Sequence, residues 1–181
     1  MSQDWWFPAA LLAFLALGFS AGYLFSQPQA AACVGSVAVQ PVFSPGADAV
    51  LLPLLDSAEA SIHVELYQFS YPQLRAALVS AAARGVEVRV ILDPTVDSNL
   101  DTAEYLKSRG VHVRWSSRDF TRTHSKTAVV DGRRVVVGSI NWSGAAMREN
   151  REAGVIVDDY AVAAEFERVF SADWGKASEV K

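Results

Sequence analysis

The sequence predicts an α/β domain, a mixed β-sheet flanked by helices in layers, with a membrane-spanning helix ahead of it. Three observations predict this. Short apolar strands alternate with helical stretches between residues 61 and 115, two further strands flank Asp131-Gly132, and an uncharged run of 21 residues, Trp5 to Phe25, precedes them all. Alternating strands and helices followed by a hairpin are what a mixed sheet covered by helices requires.

The N-terminal run is about 31 Å long as a helix, enough to cross the apolar core of a bilayer. Trp5 and Trp6 near its start and Tyr23 near its end suit the two interfaces. Pro8 falls in the first turn, where its missing N–H costs little. A cleaved secretory signal is the competing reading. Such a signal carries a basic leader and a shorter apolar core, whereas no Lys or Arg precedes Arg75. A retained single-pass anchor over residues 1–26 is therefore expected. The domain is placed outside the cytoplasm, although no basic residue near either flank sets the orientation. Residues 27–45, with three prolines, read as a linker and an extended lead into a domain at 46–176, followed by a short tail at 177–181.

Within the domain, Asp48 to Ala58 has helical spacing through Val50, Leu51, Leu54 and Leu55. Ser61 to Phe69 alternates as a strand. Pro72 opens an Ala-rich helix that Gly85 ends, and Val86 to Leu92 is a second strand. A helix from about Leu100 to Arg109 stops at Gly110, and Val111 to Trp115 is a third strand. Lys126–Val130 and Arg134–Val137 flank the Asp-Gly signal of a two-residue hairpin. Ala153 to Val157 is another strand, and Ala161 to Trp174 a closing amphipathic helix.

The single cysteine, Cys33, excludes an intrachain disulfide and any cysteine-rich metal site. A net charge of −4 argues against coating nucleic acid by bulk electrostatics. That average hides a basic stretch. From Tyr105 to Arg134 there are eight Lys or Arg residues against Asp119 and Asp131, and these bracket the strongest chemical pattern in the chain.

That pattern is H-x-K-x-x-x-x-D, His124, Lys126 and Asp131, followed by G-S-x-N, Gly138, Ser139 and Asn141, and then by Glu152. In an extended segment, residues two apart share a face, at about 6–7 Å. His124 and Lys126 therefore project together, and Ser139 and Asn141 do so if their segment is extended. An imidazole, an ammonium, a hydroxyl and an amide together suit a phosphodiester, supplying a nucleophile or acid–base group, a cation for the oxyanions and neutral donors. Glu152 at the start of a strand is expected to hold the far nitrogen of His124. Asp131 has a second explanation, because Asp-Gly is what a tight turn favours. His63 and His112 read as structural, Glu65 as a loose candidate for the site, and Asp158-Asp159 as neighbours whose side chains diverge.

These residues resemble the HKD motif of the phospholipase D superfamily, and the similarity extends over about residues 40–175. V-E-L-Y-Q-F-S with its following helix, then R-G-V-E-V-R-V-I-L-D, then the motif, follow the family's order. Single-motif members, the small bacterial endonucleases and the membrane-anchored cardiolipin hydrolase type, are the most similar. The resemblance implies a homodimer in which two copies of His124 face each other. One His124 would form a phosphohistidine while the other protonates the leaving oxygen. Lys126, Ser139 and Asn141 would bind the phosphate, Glu152 would orient His124, and Asp131 would be mainly structural. No metal or other cofactor is implied. The expected function is a metal-independent phosphodiesterase, with a nuclease favoured over a phospholipase or cardiolipin hydrolase. An inactive, membrane-tethered binding module is the alternative of a different class.

Overall fold

A computed structural model describes residues 37–180 of the 181-residue chain. The membrane span expected at 5–25 and Cys33 lie outside the described residues. Among those described, no helix is long and apolar enough to cross a membrane.

The elements run β1 (Ala38–Ser44), α1 (Asp48–Asp56), β2 (Ser61–Leu66), α2 (Pro72–Ala83), β3 (Glu87–Leu92), α3 (Ser98–Lys107) and β4 (His112–Trp115). After a long connection come β5 (Lys126–Val130), β6 (Arg134–Gly138), α4 (Gly144–Arg148), β7 (Glu152–Asp158), α5 (Tyr160–Lys176) and β8 (Ser178–Glu179). They build one eight-stranded sheet in the order β1-β7-β6-β5-β2-β3-β4-β8. β2, β3 and β4 are parallel and are joined by the helical crossovers α2 and α3. β5 is antiparallel to β2 and begins an antiparallel run through β6, β7 and β1. The sheet is mixed, as its sequence pattern predicts.

Alternation along the strands decides the layers. Ile62, Val64 and Leu66 of β2, Val88, Val90 and Leu92 of β3, and Ala128 and Val130 of β5 bury one face. Leu51 and Leu55 of α1, Leu74 and Leu78 of α2, and Leu106 of α3 complete that core. The opposite face is covered by α5 through Ala163, with Val129 and Val135 beneath it.

Several boundaries differ from the expectation for physical reasons. β1 lies inside the segment read as a linker. It is an edge strand with five of its seven residues exposed, so it carries no apolar alternation, and Pro41 is tolerated because only one side of the strand is paired. The hairpin contains three residues, not two, between the paired Val130 and Arg134. Asp131 and Gly132 both have positive φ, 55° and 57°, and Arg133 N donates to Val130 O at 3.1 Å, which is a type I′ turn with one added residue before the ladder resumes. β2 stops at Leu66 because the chain then bends, with Asn99 Nδ2 donating to Tyr67 O at 2.8 Å and Asn99 Oδ1 accepting from Phe69 N at 2.8 Å. The short helix α4, capped by Ser143, and the two-residue β8, which pairs with β4 in the expected tail, are not among the expected elements.

Candidate active site

The ends of β2, β3, β4 and β6 and the starts of β5 and β7 lie along one margin of the sheet, because parallel and antiparallel partners alternate in that sense. His124 and Lys126 sit there, at the start of β5. Lys126 faces the buried core, pairs with Leu66 across β2, and is only 8% exposed. Its stem packs in a tight, nearly filled space lined by Leu51, Val136, Ile140 and Trp142. Its Nζ emerges at the margin, donates to the backbone oxygen of His124 at 2.8 Å and lies 3.1 Å from His124 Nδ1. Burial holds the Lys126 ammonium below the ordinary lysine range, and the nearby Glu152 carboxylate partly opposes that shift.

An ammonium only donates hydrogen bonds. Nδ1 of His124 therefore accepts, and the neutral ring carries its proton on Nε2. His124 itself is exposed, and its ring lies 4.4 Å from that of Tyr67 at 47°. Lys126 Nζ is 5.1 Å from the same Tyr67 ring, so one phenol flanks both groups. Tyr67 is brought there by the antiparallel ladder, where Tyr67 N donates to Ser125 O at 2.8 Å. The sequence places Tyr67 in the strand expected at 61–69 and in V-E-L-Y-Q-F-S, but assigns it no role; in the structure it lies one residue past β2.

The second pair follows from β6 and β7. Gly138 stands opposite Gly154, and a Cβ on Gly138 would come within 2.4 Å of both Ala153 O and Gly154 Cα. Only glycine allows this approach. It places Ser139 against the start of β7, with Ser139 N donating to Ala153 O at 2.9 Å. Asn141 is fixed through its neighbour: Trp142 N donates to Gln68 O at 3.0 Å, and Trp142 O accepts from Ser70 N and Tyr71 N. Asn141 Oδ1 is buried and has no hydrogen-bond partner among the described residues.

One expected placement is corrected, and the motif's aspartate lies apart from its histidine and lysine. Glu152 does not hold His124. Its Oε2 accepts from Ser139 Oγ at 2.5 Å and its Oε1 from Asn150 Nδ2 at 3.2 Å, because the Gly138–Gly154 approach brings Ser139 to it first. Asp131 is not at the site. The whole of β5 separates it from His124, a span of about 20 Å. Its carboxylate accepts from the backbone N–H groups of Glu59, Ala60 and Ser61 and pairs with Arg134 at 3.1 Å. Burial would raise that carboxyl, but these amides and the guanidinium outweigh it and hold it below the usual carboxylate range.

Glu65 pairs with Thr127 and points to the α5 face, away from Lys126. Burial, reinforced by Asp173, raises it to about 7. It borders a groove of about 250 Å³ shared with Ser125, Phe166 and Phe170. His63 also belongs to that face. Its Nδ1 is 2.6 Å from Glu167 and its ring stacks on Phe170 at 4.8 Å. Among the described residues, no three of His, Cys, Asp and Glu cluster closely enough to hold a metal ion.

Two buried residues to which the sequence assigns no role underlie the site. Asp93, 1% exposed, accepts from Thr123 N at 2.6 Å and from Thr95 N at 2.8 Å, and so fixes the residue before His124. Asn99 donates to Asp93 O at 2.9 Å as well as to Tyr67 O, tying both walls of the site together.

The family described as "Cardiolipin synthase, PLD-like domain" matches residues 51–174. The mitochondrial cardiolipin hydrolase of Xenopus tropicalis is 37% identical over 125 residues, covering 68% of this chain and 59% of that protein. A phospholipase D of Rickettsia conorii is 33% identical over 113 residues, covering 60% and 54%. The chain thus spans less than two thirds of these relatives' lengths. Among solved structures, the phospholipase D family member Nuc from Salmonella typhimurium superposes with a TM-score of 0.76 at 30% identity, covering 81% of this chain and 99% of that one. NucT from Helicobacter pylori gives 0.73 at 21% identity, over 80% and 100%, a likeness of fold. With the motif residues gathered at one sheet margin and the family matching more than half of the chain, this protein belongs to the phospholipase D superfamily.

Proposed function

We propose that the protein is a phosphodiesterase that works through a phosphohistidine at a site completed by a second copy of the chain. The observation that carries this reading is the His124–Lys126 pair: an exposed imidazole whose inner nitrogen is 3.1 Å from a largely buried ammonium. Nε2 of one His124 forms a bond to phosphorus as the bond to the leaving alcohol breaks. The His124 imidazolium of the other copy gives that alcohol its proton. It then takes a proton from water, whose oxygen attacks phosphorus and breaks the P–N bond. Lys126 and the Asn141 amide, with Ser139, stabilise the oxyanions.

The Nε2–H tautomer that the Lys126 contact implies is a resting form. The donating imidazolium and the attacking neutral ring both carry a proton on Nδ1, so the Lys126–Nδ1 contact must open in both copies as the ammonium turns to phosphate. Such a site accepts either a nucleic-acid strand or a phospholipid headgroup. The basic stretch supports the first, and exposed apolar residues at the same sheet margin, Phe43, Leu100 and Phe120, support the second. An N-terminal anchor with the domain outside the cytoplasm belongs to the same reading.

The test is hydrolysis of an aryl phosphodiester by the full chain in detergent, with chelator present, together with its oligomeric state. Turnover by a dimer that His124→Ala abolishes supports the reading. A strictly monomeric active protein, or activity that survives loss of His124, overturns it, and a folded dimer without turnover favours an inactive binding module.

A further inference from the structure

We propose that the β4–β5 connection is a docking loop that seats the mouth of the site on an anionic phospholipid bilayer, with Phe120 inserted among the acyl chains and Arg118 and Arg122 at the phosphate level. The sheet order places β3 and β2 between β4 and β5. To pass from Trp115 to Lys126 the chain must therefore cross the ends of both strands, and it arrives directly at His124. The loop is the rim of the site for topological reasons, whatever its sequence.

The loop is held at its base and left open at its tip. Ser116 N donates to Leu92 O at 2.9 Å, and Thr123 N donates to the buried Asp93 carboxylate at 2.6 Å. Asp119 turns back to Lys176 at 3.4 Å, which takes the loop's one carboxylate out of play. Between these ties Phe120 remains 47% exposed, with Arg118 and Arg122 exposed on either side. Neither guanidinium has an ion-pair partner among the described residues.

A phenylalanine raised between two free guanidinium groups matches a bilayer interface, where the ring enters the apolar region and the cations meet lipid phosphates. It matches a single nucleic-acid strand less well. Strand binders present successive aromatic platforms along a basic groove, and this loop has one ring. The other exposed apolar residue in this part of the sheet margin is Leu100 in the first turn of α3, 52% exposed and without a π face to stack on a base. The net charge of −4 also favours local contact through one basic tip over general attraction to a polyanion.

This inference rests on the phosphodiesterase reading for its consequence, since it makes a membrane phospholipid the substrate class, but docking is measured without turnover. In the full chain carrying Cys33→Ser and Phe120→Cys, an environment-sensitive fluorophore is attached at position 120 and the protein is placed in nanodiscs. Discs of phosphatidylcholine mixed with phosphatidylglycerol are compared with phosphatidylcholine alone. The expected result is a blue-shifted emission quenched by bromine on the acyl chains, in the anionic discs only. Arg118→Ser and Arg122→Ser should each lower the inserted-to-free ratio about fivefold. Three outcomes overturn the proposal: no difference between the discs, a response to a single-stranded oligonucleotide in neutral discs, or a change that follows protein concentration without lipid. Aryl phosphodiester turnover of the unlabelled chain is read separately. If it is absent while the label inserts, the chemical reading fails and the docking surface stands.

Discussion

The two ends of β5 carry the two halves of one short motif and treat them in opposite ways. At the hairpin end, the Asp131 carboxylate is saturated by three backbone amides and Arg134. At the other end, Lys126 is buried along its stem, but its charge is offered to one ring nitrogen and one carbonyl, beside an exposed His124 and an Asn141 oxygen without a partner. Saturated groups hold structure, and groups held in place but incompletely satisfied are available to a substrate. Five residues of strand join the two, so the motif is a rod with a saturated foot and an open tip.

The contrast breaks most sharply at the tip. His124→Ala should lower turnover by about 10³–10⁴-fold or more while leaving thermal unfolding nearly unchanged, because the ring is exposed. Lys126→Met, which keeps the apolar stem, should cost about 10²–10³-fold in kcat. In the parent protein the basic limb of the pH–rate profile should fall at a pH below the ordinary lysine range, since burial lowers the Lys126 pKa. A limb at the usual lysine value would show that the ammonium is solvated in the working enzyme.

At the foot the expectation reverses. Asp131→Ala should destabilise the fold by about 2–3 kcal/mol in denaturant unfolding, through orphaned amides and a non-Gly residue at positive φ, while the remaining folded enzyme keeps its kcat within a few-fold. A large kcat loss at full folding would erase the distinction between the two ends. Across the sheet, Glu65 sharpens it by pH. Its folded pKa of about 7 lies above the ordinary glutamate value of 4.5, so it imposes a penalty that grows as pH rises from about 4.5 to 7 and is complete above that. Glu65→Gln should therefore stabilise the protein at pH 8 relative to pH 5, by about 1–2 kcal/mol after allowing for solvent screening.

Much of this is legible in the sequence. His124 and Lys126 share an end of β5 because extended backbone repeats every two residues, and Gly138, Ser139 and Asn141 arrive at the same margin because an Asp-Gly turn folds β6 back on β5. What could not be read was which acceptor each donor meets. Glu152 has the right residue type and strand position to hold His124, yet it meets Ser139, because two glycines let β6 and β7 close on each other. Asn99 carries no motif, and Tyr67 and Asp93 lie in the segments V-E-L-Y-Q-F-S and R-G-V-E-V-R-V-I-L-D without a role assigned to them there. They matter because parallel crossovers bring the ends of β2 and β3 and the first turn of α3 under the same loop.

The sequence by itself determined the mixed sheet and its helices, the candidate pair His124 and Lys126 with its spacing, and the membership of the family, since all of these depend on periodicity and short-range geometry. Only the tertiary structure decided that the Asp131 carboxylate meets the amides of residues 59–61, that the linker contains an edge strand, and that the β4–β5 loop forms the rim. Those depend on strand order and on close approach between segments distant in sequence, which local pattern does not encode.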